Sequence, residues 1–207
     1  MTDREEIPTP EQLGYDWRIL GNAQIASQYM QKDMQQGDSN LTQSKKALEM
    51  ILKDANVTDP SIVNTMTDPN VIATALQNQQ DLYNNYKGQQ TVETLLEPHQ
   101  TKIAEYLGET NYTHFQAQTE EIKNENYGEI IKKVDIAKKE LEVIKAKGGS
   151  DEDKAPYQAI IKKYSPAITT INRMDSGLYA KFETRVEDAI TKDVLNSVYA
   201  SPAENSD

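Results

Sequence analysis

Two histidines, His99 and His114, are the only side chains whose ordinary titration falls near neutral pH. Neither has a glutamate three residues before it, so the Glu-x-x-His pairing of helical di-iron bundles is absent, as is His-Glu-x-x-His. A lone helix or loop histidine is usually structural or exposed, and no metal is expected at either position. Glu120, Glu121, Glu125 and Glu129 could gather carboxylates on one helical side. Acid–base catalysis by such a set needs desolvation, and an acidic helix start is better explained by the helix macrodipole. The run Asp151-Glu152-Asp153 lacks the spacing and central glycine of a calcium loop and reads as capping charge. Lys87-Gly88 and Gly148-Gly149 stand alone, without the spacing of a phosphate-cradling loop. No Gly-x-Ser-x-Gly elbow is present, and the absence of cysteine removes thiol catalysis, disulfides and zinc fingers together. No catalytic, cofactor-binding or metal-ligating residue is assigned.

Contact chemistry is better represented. The chain has 11 Tyr against 2 Phe and 1 Trp, and tyrosine buries a ring while its hydroxyl seeks water or a partner. A thin core with shallow aromatics is the favoured explanation; a contact surface is the other. The residues offered as partner-binding candidates are Tyr83, Tyr86, Tyr127, Ile130, Val134, Leu141 and Ile144. The last five lie with Ala137 at alternating three- and four-residue steps, which is one stripe of an α-helix. They also make a heptad register of under three repeats, so packing inside the chain's own bundle is favoured over self-association.

The element that carries this stripe is predicted to run from Thr119 to Lys147 and to stop at Gly148-Gly149. Before it, helical spacing covers Glu11–Gln36, then Leu48 to Leu52 with Thr42 or Ser44 as its cap. Asp59-Pro60 and Asp68-Pro69 each place a capping acid before a first-turn proline. The second start opens a helix through Ile72, Leu76, Tyr83 and Tyr86 to Gly88. Pro98 should kink or divide the helix from Val92 to Leu107. After Gly149, Pro156 sits in a first turn, Ser165-Pro166 bends or restarts the helix, Asp175-Ser176-Gly177 interrupts it, and a last helix runs from Leu178 to about Ala200. No stretch alternates persistently enough for a strand.

Composition changes near residue 118. Residues 1–118 hold sixteen acids and eight bases, net -8; residues 119–207 hold seventeen and fourteen, net -3. The expected organisation is a flexible arm at 1–10, an amide-rich helical subdomain at 11–118, a Lys/Glu-rich subdomain at 119–200 and a tail at 201–207. A net charge of -11 argues against nucleic acid and anionic membranes as partners. No apolar run approaches a membrane span, and the first residues carry acids and prolines where a secretion leader needs basic then apolar ones.

The expected fold is all-α: an elongated, kinked bundle of six to eight helices around the helix at 119–147. With 37% hydrophobic residues and no reactive constellation, the leading function is a non-catalytic structural or assembly subunit. Such a subunit holds protein partners or copies of itself through helix faces, as in a virion or another large complex. The alternatives are a secreted or surface-exposed helical binding module, such as an effector or adhesin, and a carrier or enzyme with a bundle-core pocket using His99, His114 or Tyr127.

Overall fold

The computed structural model describes residues 17–57 and 59–200. The arm at 1–10, the start of the first helix before Trp17 and the tail at 201–207 lie outside the described residues. The chain is all-α. Its helices are α1 (Ala23–Gln35), α2 (Thr42–Asp54), α3 (Pro69–Gln89), α4 (Val92–Leu96), α5 (Gln100–Leu107), α6 (Glu109–Glu120), α7 (Tyr127–Ala146) and α8 (Asp151–Tyr199), with 3-10 turns at Trp17–Asn22, Pro60–Thr65 and Glu97–His99. No strand occurs among the described residues; one isolated antiparallel bridge joins Thr91 and Asn126.

The chain divides into two compact units. One is Met1–Asn84 together with Gly177–Asp207; the other is Asn85–Ser176. The division does not follow the composition shift near 118.

In the first unit α1 and α2 form a hairpin whose joint depends on Asp33. This carboxylate is fully buried. Asp33 Oδ2 accepts from the backbone N–H and the hydroxyl of Ser44, both at 2.8 Å, and Oδ1 accepts from the N–H of Gln43 at 3.3 Å. Asp38 accepts from the N–H of Thr42 at 3.0 Å. The open donors at the α2 N-terminus are therefore satisfied from the preceding helix and turn, not by Thr42 or Ser44. Leu41, before the first turn, has φ 54° and a buried side chain, so its left-handed conformation is offset by burial. Leu20, Tyr29, Leu48, Ile51, Ile72, Leu76, Phe182 and Val186 fill the core of this unit.

In the second unit the core is built from Val92, Leu96, Ile103, Phe115, Ile122, Tyr127, Ile130, Val134, Tyr164, Ala167 and Ile171. Pro98 divides α4 from α5 through a 3-10 turn, because a helix interior cannot accommodate its ring and missing donor. Gly108, at φ 77°, ends α5 in a conformation that side-chain-bearing residues avoid.

Three boundaries differ from the periodicity. The helix expected over Glu11–Gln36 is a 3-10 turn over Trp17–Asn22 and becomes α-helical only at Ala23. The helix expected over 119–147 begins at Tyr127: Thr119 and Glu120 close α6, and residues 121–126 form a turn. Asn126 caps α7 by accepting from the N–H of Glu129 at 3.0 Å, the Asn-x-x-Glu signature of a helix start. The expected interruption at Asp175-Ser176-Gly177 is absent, since α8 is one helix of 49 residues with Pro156 and Pro166 inside it. It starts on a reciprocal cap: Asp153 accepts from the N–H and hydroxyl of Ser150, and Ser150 Oγ accepts from the N–H of Asp153. At the expected break, the Ser176 hydroxyl bonds back to the Asn172 carbonyl at 2.9 Å and Asp175 is buried in an ion pair. Both residues are thereby satisfied within a continuing helix.

All core residues of the second unit lie between 92 and 171, whereas the first unit needs Phe182 and Val186. A fragment of residues 85–176 should therefore retain helical circular dichroism and a cooperative urea transition. Residues 1–176 should lose the first unit's transition while keeping the second's. A fragment 85–176 that melts without cooperativity would refute the division.

Candidate functional site

The densest polar cluster lies in the second unit, where the end of α3 meets the start of α7. Lys87 Nζ donates to Asp175 Oδ2 at 2.6 Å, with the two side chains only 13% and 10% exposed. The same ammonium lies 5.2 Å from the centre of the Tyr127 ring, a cation–π distance. Burial first, and then the charge of Asp175, push the Tyr127 phenol up to about 12. The ion pair and the ring face bring α3, α7 and α8 together at one point. It acts as a clamp.

The backbone around the clamp is stitched as tightly. The N–H of Tyr127 donates to Gln90 O at 2.8 Å, that of Val92 to Glu125 O at 3.1 Å and that of Glu93 to Lys123 O at 2.9 Å. A Cβ on Gly128 would lie 2.5 Å from the Gly88 carbonyl oxygen, so only glycine permits this approach. One turn away, Tyr164 donates to the Glu125 carboxylate at 3.0 Å and Lys133 pairs with it at 3.0 Å. Burial raises the Glu125 pKa, but the hydrogen bonds from Lys133 and Tyr164 and the charges of Lys133 and Lys163 outweigh it and hold the carboxyl below the usual range. The carboxylates grouped by sequence thus have separate roles: Glu125 bridges α8, Glu129 follows the α7 cap, and Glu120 pairs with Lys123.

Most candidate contact residues are interior. Tyr127, Ile130 and Val134 are buried in the second unit's core, and Leu141 and Ile144 are half-buried beyond it. Tyr83 is buried in the first unit beside Gly21, and Tyr86 is half-buried. Tyr83, Tyr127, Ile130 and Val134 are therefore not offered to a partner in this structure; they pack the chain's own interior. His99 sits in the 3-10 turn after α4, and His114 on α6. Among the described residues no group of three metal-ligating side chains occurs, and no helix is long and apolar enough to cross a membrane.

Two surface features remain. The first is the end of α8, where residues 191–199 are all exposed. Val194, Leu195, Val198 and Tyr199 are 56%, 49%, 64% and 84% exposed. Periodicity assigns Val194 and Val198 to the stripe of Phe182 and Val186. The overlooked signal is that Leu195 and Tyr199 lie beside that stripe and widen it where the core ends. The second feature is an open groove of about 520 Å³ in the second unit, between α5, α6 and α8. Ile103, Leu107, Phe115, Pro166 and Met174 supply its apolar lining, and His114, Lys162 and Arg173 its basic groups. This grouping joins three helices distant in sequence and has no local signature.

No protein-family model, no curated protein and no solved structure matches this chain.

Two measurements test the clamp. Gly128→Ala should destabilise the second unit by about 1–3 kcal/mol in urea denaturation, because backbone must move. Gly88→Ala should be tolerated, since its nearest neighbour lies at an ordinary 3.9 Å; equal losses would refute the close approach. In the second measurement, the unfolded chain releases the Tyr127 proton near pH 10, while the folded chain keeps it to about 12. Stability should therefore fall across that interval, by up to about 2–3 kcal/mol at 1.36 kcal/mol per pKa unit. Tyr127→Phe should remove this part of the slope; an unchanged urea-midpoint profile from pH 9 to 12 would refute it.

Proposed function

We propose that the chain is a non-catalytic assembly subunit that associates with further copies of itself through helix faces. The observation that carries this reading is the end of α8: nine consecutive exposed helical residues, 191–199, with four large apolar side chains among them. A helix that has left its core normally turns polar on all sides. Asp193 reaches Lys46 on α2 and Val194 borders a cleft beside it, but the four apolar side chains stay 49–84% exposed; burial of such a cluster is favourable, and its tyrosine is of the type enriched at interface centres. The clamp of Lys87, Asp175 and Tyr127 supports the same reading, because its ionisable groups are committed to each other.

The second reading, a carrier with a bundle-core pocket, is less favoured: the groove beside His114 is open along its length, whereas small-molecule sites enclose most of their ligand.

Light scattering across a concentration series tests the proposal. The wild-type mass should rise above the 23.4 kDa of one chain. Val194→Glu combined with Val198→Glu should raise the concentration needed for association at least tenfold. Val143→Glu, on the exposed side of α7, should leave it unchanged. A wild-type protein that stays at one chain's mass throughout would overturn the reading.

A further inference from the structure

The groove in the second unit differs in charge from the rest of the chain. The protein carries 33 acidic and 22 basic residues, yet no Asp or Glu lines this groove, while His114, Lys162 and Arg173 do. Among the described residues none of these three has an ion-pair partner. Arg173 instead stacks its guanidinium 3.8 Å from the centre of the Tyr106 ring. Stacking fixes the plane of the guanidinium and leaves its N–H edges to take a carboxylate in two-pronged fashion. Apolar walls with an unanswered basic rim fit an apolar helix flanked by acids, laid in a groove.

The chain itself carries such a helix. The end of α8 presents Val194, Leu195, Val198 and Tyr199. Within the exposed end Asp193 is balanced by Lys192, and the turn just before it adds the acids Glu187 and Asp188 with no base. Asp193 also faces Lys46 at 2.7 Å but stays 57% exposed. The helical stretch from Glu187 to Tyr199 that carries these acids and apolar side chains spans about 20 Å at 1.5 Å per residue.

Building on the assembly reading, we propose that the groove between α5, α6 and α8 receives the α8 end of a second copy, so that copies join head to tail. The two halves of this contact are different surfaces, so pairing two copies leaves one half of each unfilled. Association continues until a ring closes or a filament extends. The acids of the incoming helix answer Lys162, Arg173 and His114, and its apolar side chains cover Phe115 and Met174.

Complementation between two defective variants tests this directly. The knob variant is Val194→Glu with Val198→Glu; the groove variant is Lys162→Glu with Arg173→Glu, with Lys162→Glu alone as a milder form. Sedimentation should show each variant alone at one chain's mass, at concentrations where the wild type forms larger species. An equimolar mixture should form a species of two chains and stop there, because only one intact knob and one intact groove remain. If the wild type associates but both groove variants associate as it does, or the mixture stays at one chain, the groove assignment is overturned while the assembly reading stands. A wild type that never associates overturns both. Unchanged far-UV circular dichroism melts in the variants exclude misfolding as the cause of any loss.

Discussion

The approach of Gly128 to the carbonyl of Gly88 is the constraint around which the second unit is arranged. At 2.5 Å from a hypothetical Cβ to backbone oxygen, it fixes where α7 begins against the end of α3. Tyr127 then falls beside Lys87, whose ammonium meets Asp175 on α8. Three helices are joined at one point by an ion pair, a ring face and a backbone contact. A buried ion pair is weak evidence for stability, because desolvation offsets the attraction. Here its geometric role is to tie α3 and α8 together beside the start of α7. The turn at 121–126 follows from the same constraint. Its Lys123 and Glu125 carbonyls accept from the N–H groups of Glu93 and Val92 and are unavailable to a helix continuing from α6.

The chain is short of aliphatic residues, and tyrosine with lysine makes up part of the difference. Tyr29, Tyr127 and Tyr164 are buried, and each has a lysine nitrogen near its ring: Lys32 at 4.8 Å, Lys87 at 5.2 Å, and Lys133 and Lys163 at 5.6 and 5.4 Å. Each pairing is worth little alone when exposed. Together they let aromatic rings sit close to the surface, covered on one side by apolar core and on the other by cations, which suits a polar helical bundle.

Periodicity was enough to identify the helical class, the Tyr127–Val134 stripe and the divisions at Pro98 and Gly108, because these follow from side-chain spacing and local backbone chemistry. Capping was only partly legible. Ser150 with Asp153 and Asn126 with Glu129 are local, and the latter pair marks the true start of α7. Asp33 cannot be read this way: it serves the α2 terminus from eleven positions earlier, and only the folded hairpin brings it there. The continuity of α8 also escapes local rules. Asp175-Ser176-Gly177 has the composition of a turn, but Lys87 engages Asp175 from a different helix. The groove is the least legible feature, since His114, Lys162 and Arg173 become neighbours only through packing.

The division of the chain has a bearing on biosynthesis. The second unit is encoded as one uninterrupted stretch, while the first is assembled from residues before and after it. As the ribosome extends the chain, α1 and α2 emerge early but lack Phe182 and Val186 for their core. Their hydrophobic faces stay incomplete until residues 182–186 have been translated, whereas the inserted stretch can collapse beforehand. The nascent chain thus passes through a stage in which the inserted stretch is folded while the helices before it still wait for the residues after it, with apolar surface exposed meanwhile.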